Sequence, residues 1–309
     1  MHQRHCHRRE FLAGMGLGAA AMAWSGTLRA ADGQTQASPH VAINQWSVGA
    51  MRRRDKKRPD WPLDEELAGL AGCGINGLEA GLQTPEQAES LAAQLKKHGL
   101  EMRSVYTGSD LIDTARTEKE IERIVALAKC AKAHGTGIIV TNPSPLPNHQ
   151  AKTDAQLKAQ AEGLNRLGRE LAALGLALAY HNHSVEMEHA AREFHHMMLG
   201  TEPGCLLLCL DAHWVYRGAG NSQVALFDVV KLYGARVVEL HLRQSKDNVW
   251  SETFGDGDID YRTLWKTLVA RGAKPLLVLE QGPEQGTPQT LEVAEAHRRS
   301  CRYAKEIFV

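Results

Sequence analysis

Residues 176–183 read Leu-Ala-Leu-Ala-Tyr-His-Asn-His. In an extended chain alternate side chains point to opposite faces. Leu176, Leu178 and Tyr180 then share one face; Ala177, Ala179, His181 and His183 share the other. The first face is large and apolar and suits packing against helices. The second is small and ends in imidazoles. Three later stretches repeat the pattern. In 205–211, Leu206, Leu208 and Leu210 face out, while Cys205, Leu207, Cys209 and Asp211 face in, with His213 just beyond. In 236–242, Val238, Leu240 and Leu242 face out, while Val237, Glu239 and His241 face in. In 275–281, Leu277 and Leu279 face out, while Leu276, Val278 and Glu280 face in.

Working outward, 41–46, 75–80, 101–106 and 137–141 also read as strands, which makes eight. Helical patterns lie between them. Ile121, Ile124, Val125 and Ala128 fall on one helix face, as do Leu157, Ala161, Leu164 and Leu171. Thr84-Pro85-Glu86 has the order of a helix start. Gly99, Gly135, Gly175, Gly234 and Gly272 sit where helices should stop. Eight β-α units in one series predict an α/β fold, a closed (β/α)8 barrel over residues 39–309.

Five strands then end in an inward ionisable group: Glu79, His181, Asp211, His241 and Glu280. Each lies at a carboxyl end, where such barrels hold their sites. Taken singly, each is as readily a satisfied polar residue of the rim. Burying several carboxylates and imidazoles together is costly unless something pairs with them. One divalent cation resolves this, and a nitrogen and oxygen donor set suits manganese, zinc, magnesium or cobalt.

The 309 residues carry 36 Lys+Arg and 36 Asp+Glu, so no basic excess points to nucleic acid. With 43% hydrophobic residues the chain is not of disordered type. Residues 1–31 read as a twin-arginine export signal: Arg8-Arg9, a short Ala/Gly-rich apolar run, then small residues. The apolar run is short for a membrane span, so no stable insertion is expected after cleavage, and the mature protein is expected in the periplasm or outside. Five cysteines remain beyond the signal, with no CxxC spacing. The basic run Arg52–Arg58 follows the first strand. It reads first as a solvated loop and secondly as an attractor of phosphorylated or uronate substrates.

The stretches YHNHSVEME (180–188), LDAHWVYRGAG (210–220), ARVVELHLRQS (235–245), FGDGDIDY (254–261) and VLEQG (278–282) together resemble the xylose isomerase-like barrel superfamily, the sugar phosphate isomerase/epimerase group. The resemblance implies a metal held by His181, Asp211, His241 and Glu280. Many epimerases of the family carry glutamate at the first position and move protons with two opposed glutamates; here only Glu280 of that pair remains. Relatives also usually read HLKD where this chain has Arg243 and Gln244.

On this reading Glu280 and His183 are the candidate catalytic groups. Glu79, Trp46, His213, Trp214 and Arg217 are candidates for binding a small carbohydrate. The plainer alternatives are rim histidines, a solvated glutamate and packing tryptophans. The expected function is a metal-dependent sugar isomerase or epimerase working through an enediolate. The alternatives are a lyase or dehydratase of 3-keto-glycosides or related oxidised sugars, and a non-catalytic carbohydrate-binding barrel. The reading leaves room for a homo-oligomer.

Overall fold

The computed structural model describes residues 38–54, 62–143 and 145–309. The export signal read in 1–31 and the part of the basic run at 55–58 lie outside the described residues. In chain order the elements are β1 (Val41–Asn44), α1 (Gln45–Arg54), α2 (Leu63–Gly72), β2 (Gly77–Gly81), α3 (Pro85–Lys97), β3 (Ser104–Ser109), α4 (Thr114–Ala133), β4 (Ile138–Pro143), α5 (Asp154–Ala173), β5 (Ala177–His181) and α6 (Glu188–Leu199). Then come β6 (Leu207–Asp211), α7 (Ala212–Gly218), α8 (Gln223–Tyr233), β7 (Val237–Leu242), β8 (Ser245–Lys246), β9 (Val249–Trp250), α9 (Tyr261–Ala270), β10 (Leu276–Leu279) and α10 (Val293–Ile307).

Among the described residues, eight parallel strands close into a barrel in the order β1-β10-β7-β6-β5-β4-β3-β2. Most of the core lies between the barrel and its helices. Leu176, Leu178, Leu206, Leu208, Leu210, Leu240, Leu242, Leu277 and Leu279 all enter it, as the alternation demands. Helix α5 buries Leu157, Ala161, Leu164 and Leu171 against it. The barrel interior is thinner: Val140, Ala179 and Cys209, flanked by Tyr106, Ile138 and Val238, form a small separate cluster.

Val237 and Val238 depart from the expected faces. The register between β6 and β7 passes from Leu208↔Val237 to Cys209↔Glu239, which leaves Val238 as an extra residue. A bulge of this kind turns two successive side chains towards one side. Val237 therefore joins the outer core and Val238 packs inside, while Glu239 and His241 keep their inward positions.

The caps follow the sequence. Thr84 accepts from the Gln87 amide, and Gln87 returns the bond to the Thr84 amide, a capping box at the start of α3. Gly99, Gly135, Gly175 and Gly272 close helices at positive φ. Gly234 does not; there a Cβ would meet Arg271 Cδ at 2.9 Å. The loop expected after strand one is a correction: the chain turns straight into α1, with Asn44 Oδ1 accepting the Trp46 amide at 2.7 Å. Trp46 and Arg52–Arg54 are thus helix residues. The hairpin β8–β9 was also unforeseen. Asp247 and Asn248 make its two-residue turn at φ 54° and 65°, a conformation these residue types tolerate. No helix among the described residues is long and apolar enough to cross a membrane.

Candidate functional site

His181 and Asp211 are the last residues of β5 and β6, His241 is the second-last of β7, and Glu280 follows β10 directly. One donor atom from each lies within 4.8 Å of the other three, and all four side chains are buried. Local bonds fix the approach. Asn182 donates to Asp211 O and accepts the Asp211 amide, both at 3.1 Å, which ties the end of β5 to that of β6. Glu186 accepts the His183 amide at 2.6 Å and Asn142 Nδ2 at 3.2 Å, which gives the glutamate of the YHNHSVEME stretch a loop-holding role.

The four-residue site lacks a cation's worth of partners. His181 Nε2 and Asp211 Oδ2 are buried with no hydrogen bond, an arrangement that costs free energy unless a ligand satisfies it. Two imidazoles and two carboxylates, one of each with an open donor atom, fit a divalent ion. Beneath them His241 Nε2 faces Glu79 Oε2 at 3.1 Å and Glu239 Oε1 at 3.2 Å. These carboxylates set the imidazole's orientation, with Nδ1 turned to Glu280 Oε2 at 3.2 Å.

The electrostatics match a site built around positive charge. Burial, only partly opposed by Arg243, pushes the Asp211 carboxyl up to about 8. Burial and the neighbouring Glu79 push Glu239 up to about 8. Burial works against charge on His241, yet Cys209, Glu79 and Glu280 outweigh it and raise its pKa well above the ordinary value. Burial likewise opposes charge on Glu280, but Arg243 and His241 overcome it and hold that carboxyl well below the usual range. Burial lowers His183, which favours the neutral imidazole.

Arg243 lies at the centre of this balance. It is fully buried. Its Nε donates to Glu280 O at 3.0 Å, and its Nη2 lies 3.0 Å from Glu280 Oε2. Its guanidinium carbon stands 5.1, 4.8 and 4.5 Å from the ring centres of Trp46, Trp214 and Trp250. Residue 243 is one inward step beyond His241, so the alternation that found His241 could have found it. Trp250 arrives on the β8–β9 hairpin, whose turn is clamped by Asp258 of the FGDGDIDY stretch. That carboxylate accepts Ser245 Oγ at 2.7 Å and the Asp247 and Asn248 amides at 2.9 and 2.8 Å.

A cleft of about 640 Å³ meets the site at Glu280 and is lined also by Trp46, Tyr106, His183, Arg52, Arg53 and Glu66. Not every residue expected to bind substrate reaches it. Glu79 is fully buried below His241 and takes a bond from Asn44 Nδ2 at 2.5 Å, because it sits one layer deeper than the rim. His213 is fully buried against Ser245 Oγ at 3.1 Å, behind Trp214 and Trp250. Arg217 is engaged by both oxygens of Glu284, at 2.7 and 3.0 Å. Trp214 turns one face to Arg243 and makes an edge contact with His183, ring centres 6.0 Å apart. The sequence reading missed Tyr106, whose ring meets His181 edge-on at 5.5 Å; alternation from Ser104 would have placed it inward.

A family model described as "Xylose isomerase-like TIM barrel" matches residues 67–302. The chain belongs to that family. Among curated relatives, an inosose dehydratase of Clostridium botulinum is 23% identical over 274 residues, covering 79% of this chain and 89% of that protein. One from Lactiplantibacillus plantarum is 25% identical, covering 82% and 94%. Among solved structures, a sugar phosphate isomerase/epimerase from Parabacteroides distasonis superposes with a TM-score of 0.67 at 20% identity, over 90% of this chain and 98% of the other. A 3-keto-D-glucoside 4-epimerase from E. coli gives 0.63 at 16% identity, over 87% and 100%. These likenesses show the same barrel.

Proposed function

We propose that this chain is a sugar-modifying enzyme that, with a divalent ion at His181, Asp211, His241 and Glu280, removes the proton beside a ketone of a sugar or cyclitol ring and expels a β-hydroxyl or β-alkoxyl group. The observation that carries this reading is the convergence of those four buried side chains, two of them with unsatisfied donor atoms, next to an open cleft that Glu280 itself lines. The bound ion supplies a fixed positive charge that polarises the ketone.

The protein groups divide the remaining work. His183 is the base. It lines the cleft, burial keeps it neutral, and its ring nitrogens bond to no other group among the described residues. Glu280 is a poor base, because His241 and Arg243 converge on its Oε2; it acts as a ligand. Tyr106 lines the same cleft. Burial, with Glu280 and Glu79 nearby, keeps its hydroxyl protonated and able to donate to the leaving oxygen. The exposed face of Trp46 offers an apolar platform for the ring. A base on one side without an opposed glutamate favours elimination over the two-sided proton transfer of an epimerase. The relation to inosose dehydratases supports the same choice. The order of residues 1–31 supports export by the twin-arginine route, so that substrate is met outside the cytoplasm.

The test is a panel of free ketoses, inososes and 3-keto-glycosides in deuterated water, followed by NMR. Loss of the α-proton is expected together with released water or aglycone. His183→Gln should cut turnover about 100-fold or more while metal binding persists. Deuterium entering an unchanged or epimerised ring, with nothing eliminated, would assign isomerase chemistry instead.

A further inference from the structure

Arg243 is placed more exactingly than a counter-ion requires. Its Nη1 and Asp211 Oδ2 are both buried and both lack hydrogen bonds, yet they stand 3.9 Å apart. That is beyond hydrogen-bond reach. A shift of under about 1 Å would satisfy the pair, and such a shift normally repays itself in a buried site. The gap is held open by what grips the rest of the guanidinium: the Glu280 carbonyl and carboxylate on one side and three tryptophan rings around it. Asp211 Oδ2 is thereby kept for another cation. Among the described residues, no other lysine or arginine pairs with any of the four candidate ligands.

We propose that Arg243 is a positioning residue that shares Glu280 and Asp211 with the divalent ion, orienting the Glu280 carboxylate while its charge holds the ion's affinity down. This rests on the metal reading above. It makes the site one of moderate affinity, with a second positive group beside the ion.

The experiment is calorimetric titration of Mn²⁺ into the metal-stripped full chain. Arg243→Met, which keeps bulk and loses charge, should bind Mn²⁺ at least about tenfold tighter, since a unit charge a few ångströms from two ligand carboxylates outweighs that factor at an effective dielectric of about 20. Arg243→Lys, which keeps the charge but not the fork, should stay close to the wild-type affinity. If Arg243→Met does not fold, Arg243→Gln gives the same reading. Weaker or unchanged Mn²⁺ binding in the neutral variant would make Arg243 a mere strut and overturn the proposal. Glu280→Gln serves as the separate control: Mn²⁺ affinity unaltered by that change would sink the metal site itself rather than the role of Arg243.

Discussion

At the scale of single residues, the site spends stability on function. Asp211 uses Oδ1 to cap α7 through the Trp214 amide at 2.8 Å, while Oδ2 is left buried and unsatisfied. Asparagine preserves the cap and removes the charge. We therefore expect Asp211→Asn to abolish divalent-ion binding and yet to stabilise the metal-free protein, by about 1–3 kcal/mol from relief of the desolvated carboxylate. Chemical denaturation of metal-stripped protein checks this. A variant that is less stable than the parent would mean that Asp211 is already satisfied without an ion.

At the scale of elements, alternation made much of the site legible. His181, Asp211 and His241 lie at or next to the ends of their strands, and Glu280 directly follows β10, close to where a period of two assigns them. The period could not show the bulge at Val238, which is a property of pairing between β6 and β7 rather than of β7 alone. Nor could it show β8 and β9, which are two residues each and too short to carry a pattern. Depth was equally hidden: Glu79 and Glu280 look alike in sequence, but only Glu280 lines the cleft. The hairpin depends on Gly257, where a Cβ would fall 2.1 Å from Ser245 O and 2.6 Å from Gln244 Cδ. Gly257→Ala should cost about 1–3 kcal/mol through forced displacement and should loosen Trp250 from Arg243. Denaturant unfolding together with tryptophan fluorescence reads both effects. A cost within 0.5 kcal/mol, the range usual for neutral surface changes, would show that the clamp yields freely.

At the scale of the whole molecule, the barrel joins distant stretches and buries titratable groups far from the site. His297 on α10 is buried beside Val48, Leu70 and Cys73, and burial, aided by Arg54, lowers its pKa from 6.5 to about 4. The unfolded chain therefore binds a proton between these values when the folded one does not. The contribution of this residue to folding stability is complete above about pH 6.5 and falls as the pH drops to about 4, by about 3 kcal/mol. His297→Leu should flatten that part of the acid limb in a pH series of unfolding curves; an unchanged slope would place the loss elsewhere.

The barrel's largest consequence is that four side chains spread over a hundred residues meet at one point. Crystals of the purified protein soaked in Mn²⁺ and measured at the manganese absorption edge test this most directly. One anomalous peak is expected about 2.0–2.3 Å from donor atoms of His181, Asp211, His241 and Glu280. A map with no peak there, or with manganese only at other carboxylates, would contradict it.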